Sequence, residues 1–123
     1  MLTIGSVVLG VADIPRAVTF WTRALDYVPR EEPEDDWAVL VPAGGRPGTQ
    51  VSLMFSRTPV QRRPRVHLDL YAGDAADQAA EVTRLVSLGA RRADWDAYPP
   101  DADFVVLTDP DDNAFCVIDT GGH

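Results

Sequence analysis

The second half of this chain repeats the order of the first, and that constrains its fold more than any other feature. An apolar run at residues 3–11 reads as a strand. Asp13 then precedes Ile14 and Pro15, and Ala17, Val18, Phe20, Trp21, Ala24 and Leu25 recur at helical spacing. Asp is a good N-cap and Pro suits a first helical turn, so a helix is predicted here, with Pro29 as its stop. Strands are predicted at 37–41 and 50–55, on either side of a Gly- and Pro-rich turn. The order then returns. A strand is expected at 66–71, and a helix capped by Asp74 runs through Leu88 to a stop at Gly89. A short strand at 93–97 and strands at 104–107 and 115–118 complete the repeat. Asp13 and Asp74 stand 61 positions apart, as do Ser6 and His67, and Leu9 and Leu70. Trp37 and Phe104 stand 67 apart, as do Leu40 and Leu107, and the drift reflects loop insertions. The segment 56–65, with Pro59, Pro64 and four Arg, reads as an exposed connector. Ala75, Ala79, Val82, Leu85, Val86 and Leu88 are expected to supply the buried stripe of the second helix.

Composition narrows the function classes. The 11 basic residues are all Arg, so Lys nucleophiles and Schiff bases are excluded. Against 19 acidic residues they leave a net charge of −8, which argues against nucleic acid as a partner. The single cysteine, Cys116, excludes an intrachain disulfide and a Cys-rich zinc site. No apolar run approaches the ~20 residues of a membrane span. The N-terminus carries no basic region of a secretory signal, so the expected compartment is the cytoplasm.

The run Val7-Val8-Leu9-Gly10-Val11-Ala12-Asp13-Ile14-Pro15-Arg16-Ala17, followed by Phe20-Trp21 and Leu25, resembles the opening of the vicinal oxygen chelate superfamily. That group includes glyoxalase I, bleomycin- and fosfomycin-resistance proteins and extradiol dioxygenases. His67-Leu68-Asp69-Leu70 resembles the family's opening strand of a second module, and Leu85 to Ala90 its helix end. Thr108 to Asn113 with Phe115-Cys116-Val117-Ile118 resembles its closing hairpin. The resemblance covers nearly the whole chain. It implies one glyoxalase-like α+β domain over residues 1–123, made of two tandem βαβββ modules at about 1–58 and 65–120. Their curved mixed sheets would form a cup-shaped cleft. It also implies a homodimer.

Membership of such a group does not by itself fix a function. In metal-dependent members the ligands stand at positions that correspond here to Ser6, about Ser52, His67 and Cys116. Only His67 matches the family's usual His, Glu or Gln. Ser is a poor ligand for the divalent metals involved, and two donors fall short of the three of a catalytic site. No metal cofactor is therefore expected, the alternative being a divalent metal held at His67.

Alternation places His67, Asp69 and Tyr71 on one strand face, turned to the cup. Asp69 could accept a proton or hold His67 in one tautomer, and the opposing reading is a His left over from a metal site and satisfied by a hydrogen bond. Ser6, Ser52 and Met54 are candidate cup residues of the first module. Trp37 and Phe104 could pack or line the cup, and Trp95 and Tyr98 could stack on a flat ligand or plug the sheet end. Cys116 reads as a small buried hydrophobe facing inward. The expected function is metal-independent binding of an aromatic or hydrophobic natural product or drug, with resistance by sequestration as its sharpest form. The alternative is an enzyme of the superfamily, a lyase, isomerase or dioxygenase. It would use either an unusual metal site or metal-free acid–base chemistry through His67 and Asp69.

Overall fold

A computed structural model describes residues 1–122. The chain divides into two compact units, Met1–Pro59 and a second that begins at Val60. In the first, the elements are β1 (Val7–Val11), α1 (Ile14–Leu25), β2 (Tyr27–Pro29), β3 (Trp37–Pro42) and β4 (Val51–Phe55). In the second they are β5 (Leu68–Tyr71), α2 (Ala75–Leu88), β6 (Arg91–Arg92), β7 (Phe104–Thr108) and β8 (Ala114–Ile118). Each unit holds one mixed four-stranded sheet, ordered β1-β4-β3-β2 and β5-β8-β7-β6. Both sheets pair their first and last strands in parallel and the rest antiparallel, so the α+β repeat is present in topology as well as in sequence.

The helix ends follow their caps. The Asp13 carboxylate accepts the Arg16 N–H at 3.0 Å and starts α1. Pro29 does not stop this helix. Asp26 does, by adopting the left-handed conformation at φ 54°, while Arg46 donates to the Leu25 and Asp26 carbonyls at 2.8 and 2.9 Å. Pro29 instead closes β2, an edge strand, where a missing N–H costs no central ladder bond. In α2, Asp74 and Asp77 form a reciprocal capping box at 3.0 and 3.1 Å. Gly89, at φ 122°, ends it.

Three other expectations are corrected. β1 begins at Val7 rather than residue 3 because its partner β4 begins at Val51, leaving Leu2 and Ile4 exposed. The α2 stripe is thinner than predicted: Val82 and Leu85 are buried, whereas Ala75, Ala79 and Val86 are exposed. Gln78 takes the next turn of that face, and its side-chain amide donates to the Asp103 and Val117 carbonyls at 3.0 Å each. The strand expected at 93–97 is displaced to Arg91–Arg92. After Ala93 donates to the Val106 carbonyl the chain leaves the ladder, and Asp94 and Asp96 form exposed ion pairs with Arg62 and Arg63.

The core of each unit lies between helix and sheet. In the first, Ala17, Phe20, Trp21 and Ala24 of α1 are buried, as are Val11, Leu40 and Leu53 of its sheet. In the second, Val82 and Leu85 are joined by Leu107, Phe115 and Val117. Leu40 and Leu107, mates in the repeat, are both fully buried. Replacing either with Ala is expected to cost about 2–5 kcal/mol in chemical denaturation, against less than about 1 kcal/mol for Val86→Ala on the exposed side of α2.

Candidate functional site

Strand register builds the site from the second unit. β5 runs parallel to β8 with Asp69 opposite Cys116 and Tyr71 opposite Ile118. β7 runs antiparallel to β8 with Phe104 opposite Ile118 and Val106 opposite Cys116. Residues two apart share a face, so these side chains and His67 come together on the side away from Leu107, Phe115 and Val117. The result is a cavity of about 840 Å³ whose lining belongs entirely to this unit. That volume lies within the usual range for small-molecule sites.

The hairpin that carries half of the wall is fixed by a buried carboxylate. Asp109 accepts the N–H groups of Asp111 and Asn113 at 2.9 and 2.8 Å and the Asn113 amide at 3.2 Å. These bonds close the β7–β8 turn and hold Phe104 and Val106 in register with Cys116 and Ile118.

Three reactive side chains meet on the floor. His67 Nε2 lies 3.0 Å from an Asp69 carboxylate oxygen. A ring protonated at Nε2 donates to Asp69 and leaves Nδ1 free to accept a proton. Burial pushes the Cys116 thiol up to about 11 from 9.0, and the Asp69 charge and the hydrogen bond the thiol gives Asp69 push in the same direction. Cys116 is therefore a protonated thiol at neutral pH rather than a nucleophile. The donor atoms of His67, Asp69 and Cys116 lie within 4.8 Å of one another. Asp69 makes this a three-donor cluster, where of the four expected ligand positions, Ser6, Ser52, His67 and Cys116, only His67 and Cys116 were counted as usable donors.

Aromatic groups form the walls. Tyr71, Trp95 and Phe104 all line the cavity. The Trp95 indole Nε1 is buried without a hydrogen-bond partner. Arg63 lies over the same ring at 5.3 Å from its centroid. Tyr98 is not in the lining. Its hydroxyl accepts the Val106 N–H at 2.8 Å and its ring packs against Phe104 at 5.3 Å, so it supports the wall.

Six of the eleven candidate residues thus come together: His67, Asp69, Tyr71, Trp95, Phe104 and Cys116. Ser6, Trp37, Ser52 and Met54 belong to the first unit and its equivalent sheet face, with Trp37 opposite Met54. Ser6 and Ser52 share a hydrogen bond at 2.7 Å, and Ser52 is buried. Sequence reasoning missed Val106 and Ile118, which alternation from Phe104 and Cys116 would have found. It also missed Asp103 and Thr120, which lie in loops at strand ends where no periodicity marks them.

The model of the glyoxalase-like domain family matches residues 6–118. The chain belongs to that family, and its fold is that of the vicinal oxygen chelate group. Solved structures agree in fold. A possible glyoxalase from Bacillus cereus superposes with a TM-score of 0.70 at 18% identity, covering 96% of this chain and 99% of its own. A glyoxalase/bleomycin resistance protein/dioxygenase family enzyme from Burkholderia phytofirmans PsJN gives 0.73 at 14% identity, with 94% and 97% covered. A mutant of the fosfomycin resistance protein FosX from Listeria monocytogenes, complexed with Mn(II) and 1S,2S-dihydroxypropylphosphonic acid, gives 0.72 at 14%, with 96% and 90% covered. A comparison with curated proteins found no match.

The donor set does not fit a hard ion such as Mn(II). Such ions take oxygen and imidazole ligands, whereas Cys116 presents a soft thiol held protonated by burial and by Asp69. The repeat equivalents of His67 and Cys116 are two serines that satisfy each other.

Two measurements check the Cys116 environment. Native-state alkylation with iodoacetamide is expected to be slow at pH 8 and to rise toward a midpoint near 11, with Asp69→Asn lowering that midpoint. Between pH 9 and 11 the unfolded chain releases this proton before the folded one does, so folding stability falls as pH rises. Relative to Cys116→Ala, wild type should lose stability across that window in pH-dependent urea melts.

Proposed function

We propose that this protein binds an aromatic or hydrophobic small molecule in the cavity of its second unit, without a metal. The observation that carries the reading is the composition of that cavity: Tyr71, Trp95 and Phe104 line it, and the buried Trp95 indole N–H has no protein acceptor. An apolar and aromatic lining around a few polar groups is the usual make-up of a small-molecule site. The serine pair and the protonated Cys116 support metal independence. The expected biological role is sequestration of a natural product or drug, conferring resistance, by a homodimer in the cytoplasm.

A second reading is favoured by the His67–Asp69 contact and its neighbour Cys116. In it the protein is an enzyme of the family that works by acid–base chemistry through His67 and Asp69 or through a thiophilic ion held at His67. Cobalt(II) titration separates the metal version. No sulfur-to-cobalt charge-transfer band should appear near neutral pH, and a band abolished by Cys116→Ser would establish metal binding instead.

The binding reading is tested by a thermal-shift screen of aromatic natural products in the presence of EDTA. A ligand specific for the native state should raise Tm, with about 2.7 kcal/mol of stabilisation at a hundredfold excess over Kd. Phe104→Ala should weaken binding by about tenfold or more while the protein stays folded. Hits that require added metal would contradict the proposal.

A further inference from the structure

A second, smaller cavity of about 360 Å³ adjoins the one already described, and its lining also belongs to the second unit. The two share a floor. Alternation carries the face of Val106 on to Thr108 and the face of Cys116 back to Ala114, about 7 Å along each strand. Thr108 and Ala114 are paired across the sheet. Val106 and Cys116 line the larger cavity, Thr108 lines the smaller and Ala114 lines both. Trp95 is the other residue common to both, so its side chain stands at their junction. The two chambers differ in character. Tyr71, Phe104 and Ile118 wall the larger, whereas Arg92 and the Arg91–Asp112 pair, at 2.9 Å, line the smaller. Little holds Trp95 in place. Its indole N–H has no hydrogen-bond partner among the described residues, so no such bond fixes the ring. Arg63 lies over the ring and pairs with Asp96, and Arg62 pairs with Asp94 at 3.6 Å, so a connector arginine grips the residue on each side of Trp95. These ion pairs are exposed, and exposed pairs contribute little.

We infer that Trp95 is a partition that limits the reach of the ligand, closing the aromatic cavity against a polar chamber on the same sheet face, and that Arg63 is the positioning residue that keeps it there. The inference rests on the reading of the larger cavity as a ligand site. The ligand class follows from it. The wild-type site takes a compact aromatic molecule that ends at Trp95, and gains nothing from a polar chain attached to the same ring system. Without the Trp95 side chain the common floor of Thr108 and Ala114 joins the two chambers, and such a chain reaches the arginines of the smaller one.

Two neutral probes that share one ring system isolate reach from charge: 2-methoxynaphthalene and the 2-naphthyl ether of triethylene glycol, titrated by calorimetry in EDTA. Wild type is expected to bind the long probe no more tightly than the short one. In Trp95→Ala, shown folded by its thermal melt, the chain enters the polar chamber, and the long probe should bind about tenfold more tightly than the short one. Trp95→Leu serves as the second variant, with the same direction expected. Phe104→Ala, which changes the larger cavity alone, should weaken both probes and leave their ratio as in wild type. Arg63 lies outside both linings, and Arg63→Ala should move the Trp95 indole N–H signal and raise the ratio about threefold. Tighter binding of the long probe already in wild type, or a wild-type ratio in the Trp95 variants, would overturn the partition. A wild-type ratio in Arg63→Ala would overturn the part given to Arg63. Binding of neither probe to any of these proteins would overturn the cavity reading itself.

Discussion

The parallel pairing of β5 with β8 sets Asp69 opposite Cys116, and the make-up of the cavity in the second unit depends on that register. A shift by one residue would turn every side chain of β5 to the other face. His67, Asp69 and Tyr71 would then face α2, and Leu68 and Leu70 would face the cavity. The register is held from the opposite side of the sheet. Val82 and Leu85 of α2 pack in the same core as Leu107, Phe115 and Val117, and Gln78 ties α2 to the Val117 carbonyl. At the far end the Asp109 carboxylate closes the β7–β8 turn. Hydrophobic burial on one face thus determines the polar arrangement on the other.

The same scaffold appears twice with different chemistry. Ser6 and Ser52 occupy the places of His67 and Cys116, and Val8 occupies that of Asp69. Two hydroxyls bonded at 2.7 Å form a closed pair, neutral and without a titrating group. In the second unit the equivalent positions hold a His–Asp pair and a thiol whose proton is stabilised by burial and by the neighbouring carboxylate. The first unit has kept the fold while the reactive side chains stand in the second. The two units therefore do not offer a symmetric set of donor side chains: the three that lie together all belong to the second.

Much of this was legible in the sequence because the repeat made each half a check on the other. The N-caps at Asp13 and Asp74, the core positions Leu40 and Leu107 and the shared face of His67, Asp69 and Tyr71 all follow from period and spacing. The misreadings have physical causes. Pro29 looked like a helix stop, but Asp26 could adopt a left-handed conformation first, which left room for an edge strand. The alanines of α2 looked like core, yet helical spacing alone does not say how wide the buried stripe is, and Gln78 took part of it. Residues 93–97 looked like a strand because their residue types do not show that pairing with β7 ends at Ala93. Tyr98 and Trp95 were indistinguishable by type, and only the fold shows one supporting the wall and the other lining the cavity.

The most direct test of a ligand site in the second unit uses the three tryptophans, Trp21, Trp37 and Trp95. Each contributes one indole N–H signal to a nitrogen–proton correlation spectrum, assignable by single Trp→Phe replacements. On titration in EDTA with an aromatic compound that raises Tm in the thermal-shift screen, the Trp95 signal is expected to move most, with backbone shifts concentrated in β5, β7 and β8. The Trp21 signal, buried in the core of the first unit, should stay in place. Saturable binding that leaves Trp95 unmoved, with shifts confined to residues of the first unit, would contradict the account.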